Sequence, residues 1–182
     1  ILYVHPDMRP RLVRLGYRET ELVFVSNGFD LETARQVPEQ PKQYDAMWIG
    51  RIHRQKGLED LLATLAFLAR EIPDFRAVLV GKLDELVPRL TEAGLMKRVD
   101  LPGLVSEAEK FRLFKASRVM LMPSRYESWG IVIAEALACG TPVVAYELGP
   151  YKPIFGNLVH YVPLFDSEAF LRAAREEIQT SR

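Results

Sequence analysis

Glu127 and Glu135 stand with seven residues between them in the stretch Glu127-Ser128-Trp129-Gly130-Ile131-Val132-Ile133-Ala134-Glu135-Ala136-Leu137-Ala138. From Ile131 to Ala138 every residue except Glu135 is apolar, so a helix built from this segment has no broad polar face. A carboxylate in that setting must find a partner or cost several kcal/mol in desolvation. Ligand hydroxyls are one such partner. The acid just before the helix and the lone acid inside it together point to a polyhydroxylated, anionic molecule.

The same segment supplies a place for the negative charge. Ser128 to Val132 opens the helix, and free amides at a helix start act as roughly half a positive charge. Gly130 lets a phosphate approach the backbone closely, with Ile131 and Val132 donating beside it. Plain capping by Ser128 is the alternative, and the two are compatible. Glu135, one turn past Ile131, is placed to accept from a ribose diol, with an ordinary surface acid as the plain alternative. Glu127, outside the amino end, falls near whatever lies beyond the phosphates, although an acid there also simply complements the helix dipole.

A second constellation is Gly50-Arg51-Ile52-His53-Arg54-Gln55-Lys56-Gly57. Cations at a helix start oppose its dipole by ~0.3–1 kcal/mol each, so the cluster makes sense with an anion present; a solvated basic turn is the plain alternative. Arg51 and Lys56 are candidates to clamp a diphosphate, Arg51 through two oxygens at once. His53 adjoins this turn, whereas His5 and His160 carry no signal. Arg51, Lys56 and the helix amides together offset the roughly two charges of a diphosphate. No divalent metal is then required and no cofactor is expected. The sequence has no Asp-x-Asp pair and no His/Cys cluster at zinc spacing, and Asp166-Ser167-Glu168 reads as a helix cap.

These groups need elements to hold them. Ala46–Ile49, Ala77–Val80, Val99–Leu101, Val119–Met122 and Pro142–Ala145 read as strands, with Leu22–Val25 as a further strand at the front. Between them lie helical patterns. Leucines at 58, 61, 62, 65 and 68 mark one helix; Asp84–Ala93, ended by Gly94, marks another. Ser106 with Glu109 opens a third as a capping box, and Asp166 caps the last. Strands alternating with helices predict an α/β fold with a doubly wound parallel sheet. Gly50-Arg51, Gly81-Lys82, Gly103 and Ser124–Glu127 all fall just past the carboxyl end of a strand, the rim where such sheets bind ligands.

Composition sets the bounds. The 182 residues carry 24 basic and 24 acidic side chains, which cancel, so bulk charge gives no basis for a nucleic-acid partner. No apolar run approaches the ~20 residues of a membrane span, and no signal-peptide pattern opens the chain. The single cysteine, Cys139, reads as a core thiol in a reducing, cytoplasmic setting. The chain opens on Ile1, which implies a piece of a longer protein. Residues 1–20, with Arg9, Arg11, Arg14 and Arg18, read as a linker or interface segment, and 21–182 as the binding domain.

The residues resemble the carboxyl-terminal, donor-binding half of the GT-B fold retaining glycosyltransferases, the large class called group 1 or family four. Val25-Ser26-Asn27-Gly28-Phe29-Asp30 looks like the family's lead-in to the second domain. Gly50-Arg51 to Lys56-Gly57 looks like its diphosphate clamp, and Leu101-Pro102-Gly103 like the strand end near the base. Glu127 to Glu135, continued by Gly140-Thr141-Pro142-Val143-Val144, is the most specific match. The likeness spans residues 20–175.

The resemblance implies a Rossmann-like domain that binds a UDP-, GDP- or ADP-linked sugar without metal. Arg51, Lys56 and the amides of Gly130, Ile131 and Val132 would hold the diphosphate. Glu135 would hold the ribose, and Glu127 would face the sugar as it gains oxocarbenium character. The acceptor, a sugar, lipid or other glycoconjugate, would sit mainly on a missing amino-terminal Rossmann-like domain. The whole protein would be cytoplasmic or peripheral to a membrane, and this chain alone would bind donor weakly and transfer nothing. Two stretches depart from the pattern: Leu83 stands where a second glycine often follows Gly81, and Leu148-Gly149-Pro150-Tyr151-Lys152 replaces a Gly-Gly-x-Pro-Glu loop. Two other readings stay open, a nucleotide-sugar epimerase or hydrolase of similar architecture and a non-catalytic nucleotide-sugar sensor.

Overall fold

A computed structural model describes residues 1–4 and 8–182; His5 lies outside them. Two short strands, β1 (Leu2–Tyr3) and β2 (Val23–Phe24), pair in parallel as a sheet of their own. The front strand expected at 22–25 therefore forms, but apart from the main sheet. Its sequel is not an apolar run but a polar loop and the short helix α2 (Leu31–Gln36), capped by Asp30. Tyr3, Leu22 and Leu12, from helix α1 (Met8–Arg14), make a small apolar cluster there.

Six parallel strands make the main sheet: β3 (Tyr44–Ile49), β4 (Ala77–Val80), β5 (Val99–Gly103), β6 (Ser117–Met122), β7 (Val143–Tyr146) and β8 (His160–Val162), in the order β5-β4-β3-β6-β7-β8. The chain runs outward from β3 to β5, then returns to β3's other side and runs outward again. The reversal between β3 and β6 is the point where connections leave in opposite directions and a crevice opens at the strands' carboxyl ends.

Helices cover both faces, which is why the central strands are continuous apolar runs rather than alternating ones. On one face α3 (Leu58–Glu71) and α8 (Ser167–Thr180) lay Leu61, Leu65, Leu68, Phe170 and Ile178 against Trp48, Leu79 and Tyr146. On the other, α5 (Glu107–Lys115) and α6 (Ile131–Ala138) lay Phe111, Phe114 and Ile133 against Met47, Val78 and Met120. The predicted helix over 84–93 divides into a 3-10 turn at Asp84–Leu86 and α4 (Val87–Glu92), with Pro88 in the first turn of α4. Proline lacks the amide and restricts the residue before it, favouring such a break. Ser106 accepts from the Glu109 amide at 3.2 Å, but Glu109 turns to Arg112 at 2.7 Å, so half of the capping box forms.

At the crevice the loops after β3 and β6 are in contact. The Arg125 amide donates to the Gln55 carbonyl at 2.7 Å. Gly57, at φ +63°, lies so close to Pro123 that a Cβ would stand 1.9 Å from its carbonyl oxygen. Only glycine accepts both that backbone conformation and that approach. Gly57→Ala is expected to lower stability by ~2–4 kcal/mol, seen as a lower urea midpoint at unchanged slope. An unchanged midpoint would mean that these loops do not touch.

Candidate functional site

Helix α6 starts at Gly130, φ +89°, and no side chain among the described residues caps it. The capping reading for Ser128 is thereby replaced: the first amides of α6 are left to solvent or a ligand, which is the arrangement that attracts anions. A substituted Cβ at Gly130 would meet the Tyr151 ring at 2.9 Å, so this bare helix start rests directly on an aromatic floor. Trp129 packs edge-on against Phe155 with centroids 5.5 Å apart, and Phe155 in turn meets Tyr151. The floor is helix α7 (Tyr151–Phe155), whose first two residues end the departing stretch 148–152. Its Lys152 bonds Glu147 at 2.8 Å.

A cavity of 180 Å³ lies over this helix start, lined by Asn27, Lys56, Glu127, Ser128, Trp129, Gly130, Ile131 and Val132. Residues from three separate stretches of the sequence thus meet in one place. Within it Lys56 Nζ bonds Glu127 Oε1 at 2.6 Å, with the side chains only 21% and 16% exposed. The sequence assigned these two groups to different parts of a ligand; the structure pairs them with each other. The Tyr151 hydroxyl, buried and without a partner among the described residues, has its pKa raised by burial first and by the Glu127 carboxylate next.

Along the same rim, Gly50, Gly81 and Gly103 are stitched by backbone bonds. The Gly50 amide reaches Val80 at 3.0 Å and the Gly81 amide reaches Gly103 at 2.9 Å. Arg51 follows Gly50, exposed, and makes no ion pair among the described residues. Leu101 packs towards the α3 side of the sheet, whereas Leu104 stands out at 81% exposure. The ring of His53 accepts from the Gln55 amide at 3.3 Å, capping the turn that carries Lys56. His160 pairs with Glu177 at 3.0 Å, between β8 and α8. Arg9 and Arg18 hold Glu19 and Glu21 on the surface. Nearby, Met8, Leu12 and Leu15 face Tyr126 and Ser128 across a 380 Å³ cavity, which places helix α1 beside the Glu127 loop.

Glu135 is 4% exposed. Its Oε1 accepts from Lys110 Nζ at 2.8 Å, while Oε2 is buried with no partner among the described residues. Lys110 also donates to Glu107 at 2.7 Å. Burial pushes the Glu135 carboxyl above its usual range, against the lowering effect of Lys110. Burial pulls Lys110 down, but its bonds to Glu107 and Glu135 more than reverse this and leave it raised. The asymmetry follows from sharing: the ammonium has two acids, and Glu135 has part of one ammonium. Sequence reasoning missed Lys110. Its signal was a lysine among the buried positions Phe111, Leu113 and Phe114 of α5. Among the described residues, no group of three or more His, Cys, Asp and Glu could hold a metal ion, and no helix is long and apolar enough to cross a membrane.

The sequence pattern of the family described as glycosyl transferases group 1 matches residues 30–178. A phosphatidyl-myo-inositol mannosyltransferase of Mycobacterium leprae is 30% identical over 162 residues, covering 85% of this chain and 43% of that protein. The chain therefore spans less than half the length of this relative. TarM of S. aureus, solved with UDP, superposes with a TM-score of 0.80 at 15% identity, over 98% of this chain and 36% of TarM. HepE of Anabaena, solved with UDP and glucose, gives 0.76 at 23% identity, over 98% of this chain and 53% of HepE. The parallel sheet described above is thus the Rossmann-like domain of the GT-B glycosyltransferases.

Cys139 lies at the far end of α6, 6% exposed, and burial pushes its thiol up to about 11. A thiol so placed is protonated at neutral pH and shielded. It is expected to resist a disulfide reagent such as DTNB in the native protein and to react fully in denaturant. Rapid native labelling would show that the α6 end is open.

Proposed function

The chain belongs to the group 1 glycosyltransferases, and we propose that it binds the nucleotide-sugar donor of a retaining hexosyl transfer. The observation that carries this reading is the uncapped start of α6, which opens at the sheet's reversal point into the cavity that holds Lys56 and Glu127. The presence of UDP in the TarM structure and of UDP with glucose in the HepE structure supports it by analogy.

In this reading the amides of Gly130, Ile131 and Val132 take the diphosphate, joined by Arg51 and Lys56. Gly50, Gly81 and Gly103 form the rim along which the nucleoside lies, with Leu101 and its neighbours towards the base. Glu135 accepts from the ribose diol. The entering diphosphate competes for Lys56 and so releases Glu127 towards the sugar. As the bond from the anomeric carbon to the diphosphate breaks, positive charge grows on the ring and negative charge on the leaving oxygen. A carboxylate ~4 Å from the ring at an effective dielectric of 20 contributes about 4 kcal/mol of attraction. The cations and amides act on the other side of the same bond. Both interactions strengthen as charge separates, which is what lowers a barrier rather than merely tightening binding. The charge balance requires no divalent metal. The acceptor, a sugar, lipid or other glycoconjugate, is held mainly by an amino-terminal domain outside this chain, towards which residues 1–20 lead. The whole enzyme then works in the cytoplasm or at a membrane surface, and this chain by itself transfers nothing.

Two measurements test the reading. UDP, GDP and ADP with their sugar conjugates are screened by thermal shift with and without EDTA. One base series at a hundred times its dissociation constant is expected to add ~2.7 kcal/mol, unchanged by chelator. A strict requirement for magnesium would overturn the charge balance. In the full-length enzyme, Glu127→Gln is expected to keep nucleotide binding and lower transfer at least ~100-fold. Transfer at the wild-type rate would remove Glu127 from the chemistry.

A further inference from the structure

The Glu107–Lys110–Glu135 cluster is built in a way that packing alone does not explain. Glu135 is the one charged residue in α6, and its Oε2 is buried without a partner among the described residues. A half-satisfied buried polar network costs more than an apolar core of the same shape. Leucine at both positions would fill the space between α5 and α6 without that penalty. The other groups near the cluster are Asp30 at the start of α2, on which Lys110 acts, and Cys139 just past the end of α6, on which Lys115, Glu135 and Lys110 act.

We propose that Lys110 is a positioning residue: by holding Oε1 of Glu135 it fixes the carboxylate and leaves Oε2 as the acceptor for the ribose diol of the donor. The inference rests on the reading of Glu135 given above and adds the residue through which it works. The ammonium is held a second time by Glu107, 2.7 Å away and with its side chain 59% exposed. Lys110 is 8% exposed and lies 4.9 Å over the Phe111 ring, so its stem is packed and its head has one geometry. Without the ammonium, burial acts unopposed on Glu135 and favours the protonated acid, whose hydroxyl no longer accepts in the same way. Glu135 lies one turn inside the helix whose first amides take the diphosphate, so one rigid element sets the separation between the two subsites.

The test compares UDP, GDP and ADP with their 2′,3′-dideoxy counterparts on the wild-type protein and on Lys110→Met. For the base that binds, wild type is expected to prefer the ribose form by about 10- to 100-fold, the range for hydrogen bonds to a charged acceptor. In Lys110→Met that preference is expected to fall to near unity at neutral pH and to return in part as pH rises, while affinity for the dideoxy form is unchanged. Lys110→Arg is expected to restore it. If Lys110→Met does not fold, Lys110→Gln, which keeps a donor but no charge, is read in the same way. A wild type indifferent to the diol would overturn the ribose reading and this inference together. A wild-type preference that survives in Lys110→Met at every pH would overturn this inference alone.

Discussion

Everything at this site follows from the reversal of strand order between β3 and β6. Neighbouring parallel strands whose connections leave in opposite directions cannot cover the gap between their own ends. The loops after β3 and β6 must instead meet there, and in this protein they do so by backbone. The Arg125–Gln55 bond and the Gly57–Pro123 contact join them before any side chain is considered. The cation-bearing turn and the glutamate-bearing turn are therefore parts of one support rather than two independent loops.

On that support the electrostatics divide into two zones. Near the mouth, Lys56 and Glu127 are partly exposed and face each other, so water moderates their attraction and a ligand can compete for either. Deeper, Lys110 and Glu135 are almost wholly covered, and separating them would leave an unpaired buried charge costing ~3–5 kcal/mol. The outer pair can exchange partners, whereas the inner pair holds position. A single helix, α6, carries the inner acid and opens at the outer zone, so the two zones keep a fixed relation.

Much of this was readable along the chain because it depends on neighbours in sequence. Ala46–Ile49 and Ala77–Val80 are buried on both faces, so each is an uninterrupted apolar run that reads as a central strand. The leucines of α3 repeat at helical spacing because Leu61, Leu65 and Leu68 share one buried face. The two glutamates and their glycine drew attention because an acid is out of place in an apolar helix. What escaped depends on residues far apart. The Lys56–Glu127 bond joins positions 71 apart, and Lys110 reaches Glu135 across 25; no local pattern encodes either. The helix over 151–155 and the strand over 160–162 escaped for another reason. They are five and three residues long, too short for a period to establish itself.

The pairing of Lys56 with Glu127 also bears on discrimination among anions. A cation that already has an intramolecular counter-ion gives little net gain to a visitor offering a single oxygen, since one contact merely replaces another. Under the proposed reading, a species that bridges the lysine, the bare amides and Arg51 together replaces one contact and gains several. Under the donor-binding reading proposed above, this pairing sets a threshold against orthophosphate and carboxylate metabolites that chelation crosses and charge alone does not.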